Sequence, residues 1–590
     1  MVQHAKDALR PWLESIIEDA RMEWLEDLTT LADDAGNYFP DLMLETEEGR
    51  EVMGHIAMVE ARTDRWADSA LTVLQLTNSQ ILSSDDMSSL RRFKVSENYT
   101  TTQECVRKLY TGKSSRTPLM GQTGIKKLEN DLVFMWRSRL HSDLRIRVFL
   151  PFFKKIALFR GHRFLLAVRS KVIHNKIRLG ESTRKDNDTE PVMITLSDDI
   201  FTPASIHFIL GFLYTSTLEF SYRKYDLATA FTIYRGSVYL SLRTLRNLIV
   251  AHIVVDMAHG LFHATLSDEE YRSKFGGTWS ATISTGCICR NCAHRVPRIF
   301  QLSLEEPFKN YTLKRGALRA LVGLFGEGWC TKEFASLPSY IVDASISGFQ
   351  KSITPSDVIP ILFAAEKALL KLQMSSESWA DGIKTTIISA CSLAEDVMCA
   401  EPQACFESET WDRAMTRIWP RSTRDQAMLV TRALRRRARP HQALVIYQSI
   451  VTLLEKHLQS DSDALGLLDD MKNELRKTID LSLSYANAGG NAVLPKMNSN
   501  QLADYPANSL IKNPHTDSLY SLISTVETLH SQDEPLQFSA SISALDLASS
   551  IYSSASSRTV STDYGIYAQR MALSGDSINW PSNQSLLQYY

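Results

Sequence analysis

The 590-residue sequence contains no apolar run near the ~20 residues needed to cross a bilayer; its longest uninterrupted stretches, such as Leu248 to Ala251 and Ile253 to Val255, fall far short. No membrane span is expected. The start, MVQHAKDALRPWLESIIEDARMEWLEDL, spreads acidic residues through an amphipathic helical pattern and has no apolar block, so a secretory signal is not expected either. Cysteine is scarce. The chain has eight, three of them within six positions, which is too few for a disulfide framework and reads as reduced thiols of the cytoplasm or nucleus. The glycosylation-type sequons at Asn98, Asn187, Asn310 and Asn583 are then chance matches. Net charge is nearly absent too: 65 basic against 67 acidic residues leave a formal −2, which gives no chain-wide field for nucleic acid or anionic lipid.

Signatures of catalysis are also missing. TGKSS, at Thr111 to Ser115, ends like a phosphate-binding loop, but Arg107 stands where that loop requires its first glycine. GLFGEGW lacks the preceding strand and the third glycine of a dinucleotide turn. No His-Glu-x-x-His helix or Gly-x-Ser-x-Gly elbow occurs, so an enzyme is not expected.

What is present is a core-forming composition, 44% hydrophobic and 22% charged, on a length that favours three or four domains. It also holds an internal repeat. One copy carries Asp41, then Gly54-His55 and Arg62, and reaches Leu109-Tyr110-Thr111; the other carries Asp143, Gly161-His162 and Arg169, and reaches Leu213-Tyr214-Thr215. Gly-His to Leu-Tyr-Thr spans 55 residues in the first copy and 52 in the second, while the preceding loop differs by five. Equal cores with unequal loops point to duplicated domains. Each copy reads as a strand (Leu144, Ile146 and Val148 alternate in the second), a hairpin partner, and a Gly-His turn that opens a helix. ITL, at Ile194 to Leu196, reads as a further strand, and PASIHFILGFLYTS as a helix with Ile206, Ile209, Leu210 and Leu213 on its apolar face.

These residues resemble the BTB/POZ domain family. The likeness rests on SDLRIRV, GHRFLLAVRSKVI, the strand ITL, the helix ending FLYTSTLEF, and DLATAFTIYRGSVYLSLRTL, and covers about residues 140 to 256. The first copy keeps Pro-Asp-Leu, the Gly-His turn and Leu-Tyr-Thr-Gly but has no counterpart of the last element; it reads as a degenerate BTB domain. The expected fold is α+β: an N-terminal helical segment (1–37), a degenerate BTB-like domain (38–140), a BTB/POZ domain (141–265), a helical, BACK-like region (266–485) and a Ser-rich, disordered tail (486–590). The alternative is a pair of two-layer α/β modules that share these spacings by chance.

The sharpest chemical cluster is GCICRNCAHR, with Cys287, Cys289 and Cys292, preceded by HGLFH with His259 and His263. Thiolates and imidazoles are zinc's preferred ligands, Cys289-x-x-Cys292 has knuckle spacing, and histidines at i and i+4 of a helix face one way. A structural zinc site of three Cys and one His is expected, against the alternative of ordinary buried thiols and surface histidines. ALRRRARPH, with Arg435, Arg436, Arg437 and Arg439, is either a nuclear-import or nucleic-acid patch or a solvated helical face; few aromatics interleave with it, so nucleic acid is an unexpected partner. The resemblance implies one more contact. In BTB proteins that serve cullin-based ubiquitin ligases, an apolar-x-Glu sequence in this region contacts the cullin, and Leu179-Gly180-Glu181, read as a loop, is similar.

The expectation is a cytoplasmic or nuclear protein-interaction adaptor, the second copy engaging a cullin or another BTB domain, as a homodimer or an intramolecular pair, while the rest holds a client protein. The alternative is a structural or transcription-linked BTB scaffold with no ubiquitin role.

Overall fold

The computed structural model describes residues 2–63, 90–112, 122–150, 155–182, 190–197 and 199–411, with isolated helical positions between 429 and 477. Helix α1 (Val2–Asp33) leads into β1 (Leu42–Glu45), β2 (Glu51–Gly54), α2 (Ile56–Thr63), β3 (Arg91–Lys94) and α3 (Tyr99–Thr111). Helix α4 (Gln122–Arg137) then leads into β4 (Leu144–Leu150), β5 (Lys155–Gly161), α5 (Arg163–Arg169), α6 (Lys171–Ser182), β6 (Val192–Leu196), α7 (Pro203–Thr215), α8 (Leu227–Tyr239) and α9 (Arg243–His252). Each series builds one three-stranded sheet, in the orders β2-β1-β3 and β5-β4-β6. In both, the first strand lies in the middle, antiparallel to the second and parallel to the third. The described chain is thus α+β, with two small sheets inside a mainly helical molecule. Among the described residues no helix is long and apolar enough to cross a membrane.

The sequence landmarks of the repeat each have a physical job. Asp41 Oδ1 accepts from the backbone N–H of Ile56 at 2.8 Å, and Asp143 Oδ1 from that of Arg163 at 2.9 Å, so each carboxylate caps the helix that follows the Gly-His turn. The imidazoles are buried and doubly bonded. His55 Nε2 lies 2.8 Å from the Tyr38 carbonyl and its Nδ1 2.6 Å from the Tyr110 hydroxyl; His162 repeats this with the Leu140 carbonyl at 2.6 Å and Tyr214 at 2.7 Å. A carbonyl only accepts, so Nε2 carries the proton in both rings and Nδ1 accepts from the tyrosine O–H. Burial favours this neutral form: it lowers the His162 pKa and takes that of His55 down to about 4.

The two copies are joined by an exchange of carboxylates. Arg62, on α2 of the first copy, donates from Nη1 to Asp131 Oδ2 at 2.6 Å, and Asp131 sits on α4, the helix that leads into the second copy. Arg169, on α5 of the second copy, donates at 2.5 Å to Asp27 Oδ2 on α1, the helix that leads into the first. Rings meet across the same junction, where His55 stacks on Phe164 at 4.1 Å between centroids, and within the second series Trp136 of α4 stacks on Tyr214 at 5.4 Å.

The core continues through α7, where the expected face of Ile206, Ile209, Leu210 and Leu213 is buried together with Phe208, Phe212 and Tyr214. Helix α7 packs on α4, α5 and α8 and so is apolar all round. A helical region follows, made of α10 (Asp268–Phe275), α11 (Trp279–Thr285), α12 (Arg290–Leu304), α13 (Tyr311–Gly323), α14 (Lys332–Ala335), α15 (Ser339–Ser352), α16 (Val358–Gln373), α17 (Ala380–Ala400) and α18 (Pro402–Phe406). Two of the sequons have structural work here: Asn98 and Asn310 cap α3 and α13. The arginine run at 435–439 and the Ser-rich segment from 486 lie outside the described residues.

Two predictions follow from the buried polar groups. The Arg62 and Asp131 side chains are each only 1% exposed, so Arg62→Met strands a carboxylate and should cost ~3–5 kcal/mol, whereas Arg62→Met with Asp131→Leu should recover most of that loss. Urea unfolding of the three proteins checks it; a double variant no better than the single assigns the loss elsewhere. For pH, the unfolded His55 takes up a proton near pH 6.5 and the folded one near 4, so between these values the unfolded state binds more protons and stability falls on acidification. Each unit of separation is worth about 1.4 kcal/mol. Unfolding midpoints should therefore drop from pH 6.5 to 4, and less steeply in His55→Gln; equal slopes would contradict the neutral imidazole.

Candidate metal centre

The site forms where the second copy hands over to the helical region. Helix α9 runs into a π-helical turn at Ile253–Met257, closed by a 2.7 Å bond from the Gly260 N–H to the Val254 carbonyl. The chain then leaves the helix with five consecutive positive φ angles: 49° at His259, 93° at Gly260, 29° at Leu261, 44° at Phe262 and 57° at His263. Glycine adopts such angles freely, but each of the other four costs on the order of 1–3 kcal/mol and persists only where its surroundings over-determine it. Those surroundings are visible. Phe262 is buried in a slot cut by two glycines, since a Cβ on Gly286 would lie 2.0 Å from its ring and one on Gly323 2.5 Å. Gly316 of α13 comes so close that a Cβ there would sit 2.6 Å from the Leu261 carbonyl oxygen. On the same helix Arg315 donates to the Ala264 carbonyl at 2.9 Å and Arg319 to the His263 carbonyl at 3.0 Å.

This run turns the His259 imidazole toward three cysteines. Cys287 follows Gly286 at the end of α11; Cys289 is the N-cap of α12, its sulfur accepting from the Cys292 N–H at 3.5 Å; Cys292 lies in the first turn of that helix. Arg295, also on α12, donates to the Met257 carbonyl at 2.7 Å and ties the helix to the π turn. His259 Nδ1 is 3.3 Å from Cys287 Sγ and 3.5 Å from both Cys289 Sγ and Cys292 Sγ. The four ligand atoms all lie within 4.8 Å of one another, and the set could hold a metal ion. A tetrahedral zinc ion, with Zn–S of about 2.3 Å and Zn–N of about 2.05 Å, separates nitrogen and sulfur by roughly 3.5 Å, the spacing found. Burial raises the Cys287 and Cys292 thiols. It raises Cys289 as well, but amide hydrogen bonds from the start of α12 and the neighbouring thiols outweigh it and hold this thiol below its usual value. A metal would displace these thiol protons, and four protein ligands would fill its coordination sphere.

The other residues singled out by the sequence are placed differently. His263 is not in the cluster. Its ring stacks on Phe275 at 4.4 Å, because the i, i+4 relation to His259 holds only on a helix and a left-handed run starts at His259 instead. Leu179 and Glu181 are not in a loop; α6 continues through Gly180 to Ser182, leaving Leu179 67% exposed and Glu181 paired with Arg163, which also binds Asp143. Sequence reasoning used Arg62 and Arg169 as landmarks and missed their carboxylate partners, Asp131 and Asp27, which lie 69 and 142 residues away. Comparison with protein-family models and with curated proteins finds no match for the chain.

Cobalt(II) titration checks the ligand set. A single equivalent should produce the thiolate-to-metal absorption and the visible bands of a tetrahedral ion; Cys292→Ser should abolish tight binding and His263→Gln should leave it intact. Equal loss in both variants would put the metal elsewhere.

Proposed function

We propose that the chain is a non-enzymatic interaction adaptor of the cytoplasm or nucleus, built on two BTB/POZ-type modules paired within one molecule and stiffened by one structural zinc ion. The observation that carries this reading is the recurrence of the Asp–Gly-His–Arg–Tyr framework in both copies, with each buried arginine ion-paired to a carboxylate on the helix leading into the other copy. A module whose pairing face is filled in this way keeps its remaining surfaces for other proteins. The zinc assignment rests on ligand chemistry, three sulfurs and one nitrogen at tetrahedral spacing.

The adaptor reading assigns the partner-facing role of the second copy to Leu179, a large apolar side chain standing in solvent at the end of α6 beside β6. A cullin N-terminal fragment that docks there would bury Leu179 as an anchor, while helices α10–α18 hold the client. A scaffold without a ubiquitin role is the second reading, favoured by the engagement of Glu181 with Arg163, which withdraws the polar half of the apolar-x-Glu contact.

Calorimetric titration against a cullin N-terminal fragment separates the two. On the adaptor reading Leu179→Ala weakens binding by about thirtyfold, or ~2 kcal/mol, with unfolding unchanged. Absence of binding by the wild type, or equal affinity of the two proteins, gives the scaffold reading.

A further inference from the structure

The left-handed run and the metal ligands are parts of one object. His259 is both the first residue of the run and the only nitrogen in the cluster; Gly286, which walls the Phe262 slot, directly precedes Cys287. Behind them stand α13, packed against the run through Gly316, Arg315 and Arg319, and α12, tied to the π turn through Arg295. The second copy ends and the helical region begins within this strained segment, so its geometry sets how the two are joined.

We infer that the metal centre is a latch: a zinc ion on His259, Cys287, Cys289 and Cys292 holds the run at residues 259–263 in its left-handed conformation and thereby fixes the helical region on the second copy. This rests on the zinc reading above and goes beyond it, because a metal can occupy a site without setting the backbone around it. The physical case is one of stored strain. Four non-glycine residues in the left-handed region favour release, the glycine slot and the two arginines oppose it, and a metal that bridges both ends of the junction tips the balance toward the strained form. Linkage then demands the reverse coupling: whatever loosens the run must weaken metal binding by the same factor.

The test uses the full chain, zinc-loaded and then stripped by a chelator, with zinc content measured beside amide hydrogen exchange. The amides of Gly260, Leu261 and His263, which donate to Val254, Ala258 and Gly260 carbonyls, should exchange roughly tenfold faster or more after stripping, while those of β4, β5 and β6 keep their protection. Cys289→Ser, at a half-buried ligand, should give the same local effect without a chelator. Phe262→Ala, which leaves every ligand in place, should weaken zinc binding by roughly tenfold. A chain that takes up no zinc overturns the zinc reading and the latch with it. Zinc that leaves without changing exchange at 260–263 overturns the latch and leaves the site standing, and loss of protection throughout β4–β6 overturns it in favour of a general folding requirement.

Discussion

A guanidinium cannot be taken out of water without a counter-charge, and among the described residues Arg62 and Arg169 are buried with one. With side chains 1% and 2% exposed, Arg62 and Arg169 depend on carboxylates held at hydrogen-bond distance, and neither copy supplies one from its own sheet and helices. Asp131 and Asp27 arrive on helices that precede the opposite copy. From this follow the course of α1 across both copies, the placement of α4 against α2 and α7, and the stacking of His55 on Phe164 at the junction. Removing either carboxylate would leave its guanidinium buried without a counter-charge, which is the costly case for a buried pair.

The second organising feature is a neutral imidazole at each Gly-His turn. The ring bridges a main-chain carbonyl before the first strand and a tyrosine at the end of a helix about fifty residues on, closing each copy on itself. The carboxylate that caps the next helix lies three residues after that carbonyl in each copy, at Asp41 after Tyr38 and Asp143 after Leu140. This close coupling explains why the spacing of these landmarks is so nearly kept in the two copies while the strands differ in length.

Much of this was legible because it is local. The alternation of Leu144, Ile146 and Val148 and the spacing of Cys287, Cys289 and Cys292 are short-range patterns that the folded chain keeps. What escaped was set at long range. Arg-Arg-Phe-Lys of β3 carries no strand signal, its residues being mostly solvent-facing, and becomes a strand by pairing with β1. The left-handed run at 259–263 depends on glycines at 286, 316 and 323, so no window around HGLFH announces it. Leu179-Gly180-Glu181 reads as a loop because glycine and charge surround it, yet Val192 and Met193 of β6 pack against Gly180 and the helix runs on.

Carrying both partners of a pair on one polypeptide removes dilution as a variable. A dimer of separate chains falls apart below its dissociation constant and shows every surface twice, related by a symmetry axis; two modules joined in cis meet at a fixed effective concentration, and each is free to diverge. Among the described residues, the protruding Leu179 of α6 and the Cys/His cluster lie on the side of the second copy. Pairing within one chain therefore holds at any dilution and leaves the two copies without a symmetry axis between them.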